Sequence, residues 1–160
     1  MSALKGLTLK QLLAYKGIGV NSSVAVNVGK VLPATTTGSL FGVTGTVQVL
    51  SLVGVVSTAL SITAVKPTIG ITGSNAAIAA APAAGFVSTT AGSLVQLPAA
   101  LGGVLPAAIT ASQVAASSQG FEVTGTNITI TTDATNTGAI TWILVYVPLF
   151  RKFPGSVANL

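Results

Sequence analysis

Residues 39–64 read SLFGVTGTVQVLSLVGVVSTALSITA, with no charged side chain among them. Apolar and small polar residues alternate through Val47, Val49, Leu50, Leu52, Val55 and Val56. Branched side chains at such spacing pack well on a pleated sheet, so the stretch predicts consecutive β-strands. Gly45, Gly54 and Ser57 interrupt the runs where strands bulge or turn. Few of these side chains can do acid–base or nucleophilic chemistry, so the stretch builds a fold rather than a reaction centre.

Its opening hexapeptide returns later in the chain. Phe41-Gly-Val-Thr-Gly-Thr46 matches Phe121-Glu-Val-Thr-Gly-Thr126 at five of six positions, 80 residues apart. Each copy is followed by alternation, Val47 and Val49 in the first and Ile128 and Ile130 in the second. Both read as a strand, a tight Thr-Gly turn or bulge, and another strand, the equivalent edges of two halves of a sandwich. Chance similarity in a chain rich in Gly, Val and Thr is the competing reading.

Upstream, Val24, Val26 and Val28 alternate with Ala25, Asn27 and Gly29 between Asn21 and Leu32, the pattern of a half-buried strand that Pro33 ends. Thr35 to Ser39 read as a loop. Residues 1–20, MSALKGLTLKQLLAYKGIGV, are the one segment with a helical pattern: Thr8 caps Leu9, Leu12 and Leu13, and Gly17 stops the helix after Lys16. This segment either covers one end of the core or reaches a neighbouring subunit. Its leucines are broken by Lys5, Lys10 and Gln11, unlike the apolar run of a signal peptide.

Downstream, Ser57 to Val65 alternates through Leu60, Ile62 and Ala64, which predicts a strand ending at Lys66-Pro67, and Ile69 and Ile71 resume the pattern. Residues 76–85, AAIAAAPAAG, read as an extended or irregular small-residue segment, with Pro82 against a helix. Short strands are expected over 86–90 and 93–97, while 99–120 fits either strand or helical turn. The final third is clearest: a strand at 127–132, a polar turn cluster at 133–138, then Ala139 to Val147. There Ile140, Trp142, Leu144 and Tyr146 share one face, with Ile143, Val145 and Val147 on the other. A strand apolar on both faces is a central one. Pro148 stops it, and the tail LFRKFPGSVANL follows, too apolar to stand free. The expected organisation is an arm or short helix at 1–20, a β-sandwich at 21–149 and a tail at 150–160.

Composition excludes several classes of function. The chain of 160 residues has no cysteine and no histidine, which removes disulfides, thiol nucleophiles, imidazole bases and the usual zinc sites. Only 6% of residues are charged against 50% hydrophobic. An isolated soluble surface carries about 25–35% charged residues, so much of this exterior is expected to be Ser, Thr, Asn and Gln, or to be buried in an assembly. Pro82, Pro98, Pro106 and the Gly102-Gly103 pair break the charge-free run of residues 67–121 too often for a spanning helix. One Trp, two Tyr and five Phe are few for the girdles of a membrane barrel.

Catalytic residue types are scarce. The only carboxylate side chains are Glu122 and Asp133, both read as solvent-facing or salt-bridged. No phosphate-binding glycine loop is present, and no hydroxyl sits at a recognisable catalytic spacing from a lysine. The expectation is no enzyme, no cofactor and no metal. Net charge is +5, from Lys5, Lys10, Lys16, Lys30, Lys66, Arg151 and Lys152, with clustering only toward the two ends. Scattered charges favour solubility, then attraction to an acidic protein surface, over nucleic acid, which takes a clustered patch.

The pattern LFxVTGxVxVLSLVGVVSTAL, here Leu40 to Leu60, a turn- and alanine-rich middle, and the closing ITWILVYVPL at residues 140–149 together resemble small structural proteins of tailed-bacteriophage heads. The nearest functional type is the head decoration or cement protein. The resemblance covers most of residues 20–150 and implies an all-β, antiparallel β-sandwich of jelly-roll type with about eight strands. It also implies a virion protein on the outer capsid surface, commonly trimeric, whose partners are the major capsid protein and its own copies, with neither nucleic acid nor membrane. The ends lie outside the matching segments. Lys5, Lys10, Lys16, Phe150, Arg151, Lys152, Phe153 and Leu160 are the interface candidates on them. The alternative is a head-fibre or baseplate module that recognises host glycan through the loop Asp133 to Thr137.

Overall fold

The computed structural model describes residues 23–98, 100–106, 120–149 and 156–160, and every element among them is a β-strand. In chain order these are β1 (Ser23–Val31), β2 (Thr37–Thr44), β3 (Thr46–Thr58), β4 (Thr68–Ile71), β5 (Ser74–Ala79), β6 (Leu94–Gln96), β7 (Phe121–Thr124), β8 (Asn127–Thr131), β9 (Ala139–Pro148) and β10 (Ser156–Asn159). All strand pairs are antiparallel. The first sheet has the order β1-β9-β3-β6, with β7 following β6 along the same edge of β3. The second has the order β10-β2-β8-β4-β5. The all-β, antiparallel class expected from the alternation is therefore the observed one.

The repeated hexapeptide explains how one ladder serves both sheets. β2 belongs to the second sheet and β3 to the first, and the chain passes between them at Gly45 (φ +71°). The second copy makes the reverse passage, from β7 to β8, at Gly125 (φ +53°). The two bends lie against each other. Gly125 N–H donates to Gly45 O at 2.8 Å and Val43 N–H to Thr126 O at 3.1 Å, so the pairing that starts at Thr37↔Thr131 continues to Val49↔Phe121. Thr124 and Thr46 add a hydroxyl bond across it at 3.0 Å. The duplicated sequence thus makes two bends paired across one ribbon, where separate sheet edges were expected.

One apolar core takes side chains from both sheets, including Leu40 and Phe41 of β2, Val47, Val49, Leu52 and Val56 of β3, Ile128 and Ile130 of β8, and Ile140, Trp142 and Leu144 of β9. As its two apolar faces predict, β9 is central, hydrogen-bonded to β1 on one side and β3 on the other. Gly54 interrupts nothing, contrary to the sequence reading. It lies inside β3 opposite Trp142, and a Cβ there would come 2.8 Å from Ile140 Cγ2 and 3.0 Å from the indole ring. Ser57 also lies within the same strand.

Two other expectations are corrected. Residues 59–64 are not a strand: β3 ends at Thr58, and Ile62 is 86% exposed in the loop beyond it. The residues read as a C-terminal tail include β10, which pairs with β2 from Ser156↔Thr44 to Asn159↔Phe41. Adding a strand there satisfies part of the outer edge of β2, which gives the apolar end of the chain a place to lie.

Gly125 isolates the backbone requirement of the bend, because a Cβ there would meet nothing within 4 Å. Gly125→Ala is expected to destabilise the fold by about 1–2 kcal/mol through its left-handed backbone alone, and Gly125→Asn by less, since Asn tolerates that region. Urea-unfolding midpoints of the two variants check this order.

Candidate functional site

The outer face of the first sheet is the most distinctive surface in the structure. Strand register determines which side chains meet on it. Val26 of β1 stands opposite Ile143 of β9, which stands opposite Val53 of β3, which faces Gln96 of β6. Beside this row, Val24, Val145 and Ser51 form a second, and Thr141, Val55 and Leu94 a third. Val147 and Gln48 continue toward Glu122 of β7. All point away from the core, because their strand neighbours Ala25, Asn27, Leu52, Trp142, Leu144 and Tyr146 are the buried ones. A bulge between Val49 and Ser51 turns Leu50 outward as well.

This face differs from its counterpart. The outward positions of the second sheet, aligned in the same way, are Thr37 and Ser39 of β2, Thr129 and Thr131 of β8, and Thr68 and Gly70 of β4. Hydroxyls dominate there: Thr37 and Thr131 bond to each other at 2.7 Å, while Thr129 is buried and the Thr68 and Thr129 hydroxyls are covered without a partner among the described residues. On the first sheet the corresponding positions are mostly Val, Ile and Leu. Val24 is 62% exposed and Val28 77%. The alternating valines of β1 are thus the side turned outward, and the small Ala25 and polar Asn27 are the side turned in.

Buried polar side chains hold the ends of the sheets together. Asn27 Nδ2 donates to Leu40 O of β2 at 2.7 Å and to Leu160 O at 3.0 Å. Lys30 Nζ donates to the same Leu160 oxygen at 2.7 Å, and Leu160 N–H to Leu40 O at 3.3 Å. Leu160, an interface candidate from the sequence, is therefore bound through its main chain to β1 and β2, with its side chain half exposed over Gly42. The other candidates, Lys5, Lys10, Lys16, Phe150, Arg151, Lys152 and Phe153, lie outside the described residues.

The loop after β8 is committed to internal bonds. Asn136 is buried; its Oδ1 accepts from Ser61 N–H at 3.0 Å and Gly138 N–H at 2.9 Å, and its Nδ2 donates to Thr63 O at 3.0 Å. Asp133 Oδ1 accepts from Lys66 N–H at 2.7 Å. These bonds bend residues 59–67 away from the strand their alternation predicts. They also occupy two of the polar side chains on which the glycan-binding reading rests. Among the described residues no group of His, Cys, Asp or Glu could hold a metal, and no helix is long and apolar enough to cross a membrane.

The clasp leads to a sharp expectation. Asn136→Ala leaves two donors and one carbonyl without their partner, and is expected to cost about 2–3 kcal/mol, since each buried unsatisfied group costs ~1–3 kcal/mol and some gain access to water. Asp133→Asn keeps an acceptor oxygen for Lys66 N–H and is expected to stay within about 1 kcal/mol of the parent. Chemical denaturation measures both.

Comparison of the chain with family models, with characterised proteins and with solved structures found no match.

Proposed function

We propose that this chain is a virion structural protein, a capsid decoration or cement protein that binds the outer surface of a phage shell as a homo-oligomer, with a fold of the jelly-roll type. The observation that supports the jelly-roll part of the reading is the nesting of the strand pairs. β1 pairs with β9, β2 with β8, β3 with β7 and β4 with β5, so the chain folds back on itself as one long antiparallel ribbon. That ribbon is rolled so that its pairs alternate between sheets, as β1-β9-β3-β6 and β2-β8-β4-β5. Jelly rolls have this arrangement and recur in viral capsid and lectin domains. Strand β6 occupies the edge of β3 in line with β7, so the sixth position of the roll is filled by two short strands with residues 97–120 between them.

A fold of this kind hosts several jobs, and the choice of a capsid role rests on the resemblance of residues 40–60 and 140–149 to phage head proteins. The scarcity of charge supports the same choice, since an exterior that is covered on binding needs little of it. A decoration protein stabilises its shell by mass action, binding the assembled form and not the dissociated one. In this reading Lys5, Lys10, Lys16, Arg151 and Lys152 meet acidic patches of the major capsid protein, and Phe150 and Phe153 are apolar anchors beside them. The role is structural, without catalysis or cofactor.

Reversing the two adjacent charges tests the contact. Arg151→Glu with Lys152→Glu is expected to lower occupancy on purified capsids at sub-saturating concentration by about tenfold, equivalent to ~1.4 kcal/mol, with the unfolding midpoint unchanged. Unchanged occupancy removes these two residues from the interface, and failure of the parent chain to attach to capsids at all overturns the decoration reading.

A further inference from the structure

We infer that the outer face of the first sheet is the surface through which copies of this chain associate. The inference rests on the homo-oligomeric part of the proposed function and adds to it the face, its central residues and the mode of contact.

Four observations carry it. The first is continuity: Val24, Val26, Ile143, Val145, Val53 and Val55 adjoin one another across β1, β9 and β3, with Leu94 extending the patch to β6. Three strand spacings of ~4.8 Å, plus the width of the outer side chains, by seven residues of ~3.4 Å give a footprint of about 400 Å², the size of the largest apolar patch on a typical monomer, which is often a functional one. Each partner in a standard interface contributes about 800 Å², so this patch forms the centre of a contact and its surroundings the rim.

The second is charge. Among the described residues the only charged side chain on this side is Glu122, at the rim opposite Gln48. Lys30 sits at the register of Ile140, on the opposite side of β1, and is bonded to Leu160 O. A charged partner surface would have to strip its ions of water against this face with nothing to pair them, which is costly. A second copy of the same uncharged face brings no such ions to the centre of the contact. Closed homo-oligomers are built from such repeated patches.

The third is the contrast within one molecule. The second sheet places threonines and a serine on its outward side, where Thr129 and the Thr68 hydroxyl are already covered, while the first leaves valines and isoleucines half exposed at equivalent positions. Among the described residues the larger apolar side chains thus lie on the sheet face that is the less covered of the two.

The fourth concerns the edge. β1 is the outermost strand of this sheet and has no partner beyond it among the described residues, yet its ladder is broken between Asn27 and Lys30, with Gly29 at φ +58°. Such a bulge blocks regular strand addition from another copy. Association therefore uses the face rather than the edge.

The chain has no native cysteine, so a single introduced thiol reports on one position alone. In Ile143→Cys, maleimide labelling at high protein concentration is expected to be at least about tenfold slower than in Ile62→Cys, with the protection lost on dilution as the oligomer dissociates. Protection that does not change with concentration in a chain that sediments as a monomer would mean that the chain covers this face itself, and would overturn the inference. In sedimentation, the parent chain is expected to be an oligomer, Ile143→Lys and Val53→Lys monomers with unchanged far-ultraviolet circular dichroism, and Ile62→Lys an oligomer like the parent. A parent chain that is monomeric at every concentration, or an oligomer unaffected by both face variants, overturns it. Should the lysine variants fail to fold, the labelling experiment on Ile143→Cys still decides. Capsid attachment is scored separately: an oligomer dispersed by Ile143→Lys that never attaches to capsids upholds this face and removes the decoration reading. A monomeric parent that does decorate capsids overturns this face and leaves that reading standing.

Discussion

The structure depends on one ladder of backbone hydrogen bonds that bends without breaking. Residues 37–49 and 121–131 run antiparallel, and halfway along, at Gly45 and Gly125, the pair turns from the second sheet into the first. Side chains alternate along a strand with a period of two, so a slip of one residue in this ladder would exchange inside for outside over both sheets. The bond from Gly125 N–H to Gly45 O holds the register at the point where it is most exposed to error. Positive φ at both glycines lets the strands change direction together, and a side chain at either position would work against the turn.

From this ladder the remaining positions follow. With β3 fixed by β7, its buried positions are Val47, Val49, Leu52, Gly54 and Val56, and β9 pairs on its other edge with Trp142 directly over Gly54. The missing side chain at Gly54 is the space the indole fills. β1 then pairs with β9, and Asn27, turned inward by that register, reaches across to Leu40 O of the second sheet. A polar residue inside a sheet is stable only with its partners, and Asn27 has them in two chain segments that are 13 and 133 residues away. The valines of β1 point outward because the inward side of the strand is taken by this clasp.

Much of this was legible in the sequence, and the limits are physical. The alternation of Ile140 to Val147 identifies a central strand because a two-sided apolar pattern needs neighbours on both faces, a property of the strand itself. The repeat at Phe41 and Phe121 marks two bends for the same reason, since Thr-Gly followed by alternation is local. What escaped were features set by distant partners. Gly54 looks like an interruption until Trp142 is placed over it. Leu60, Ile62 and Ala64 alternate like a strand, but Asn136 captures Ser61 N–H and Thr63 O and bends them away. Ser156 to Asn159 carry no strong strand pattern and pair only because the edge of β2 is free to receive them. The candidate surface escaped for a related reason: Ile143 and Val145 were visibly two-sided, but that Val24, Val26, Val53 and Val55 lie beside them follows from register, which no single strand encodes.

The difference between the two outer faces bears on why the protein has so few charges. A uniformly apolar exterior would be a general tendency of composition, and both sheets would show it. Instead the second sheet carries Thr37, Ser39, Thr68, Thr129 and Thr131 outward, with Thr37 exposed and Thr129 and the Thr68 hydroxyl covered. The first carries Val26, Val53, Ile143 and Val145 at matching positions, where the branched side chains add nothing to the core beneath them. Strand propensity does not separate these choices, because threonine and valine are both good strand formers. The separation is therefore one of chemistry outside the core: hydroxyls, in part covered by the chain itself, over the second sheet, and half-exposed branched apolar side chains over the first. Two faces of opposite character, on sheets joined by a single bent ladder, gather the half-exposed branched side chains on one side of the molecule.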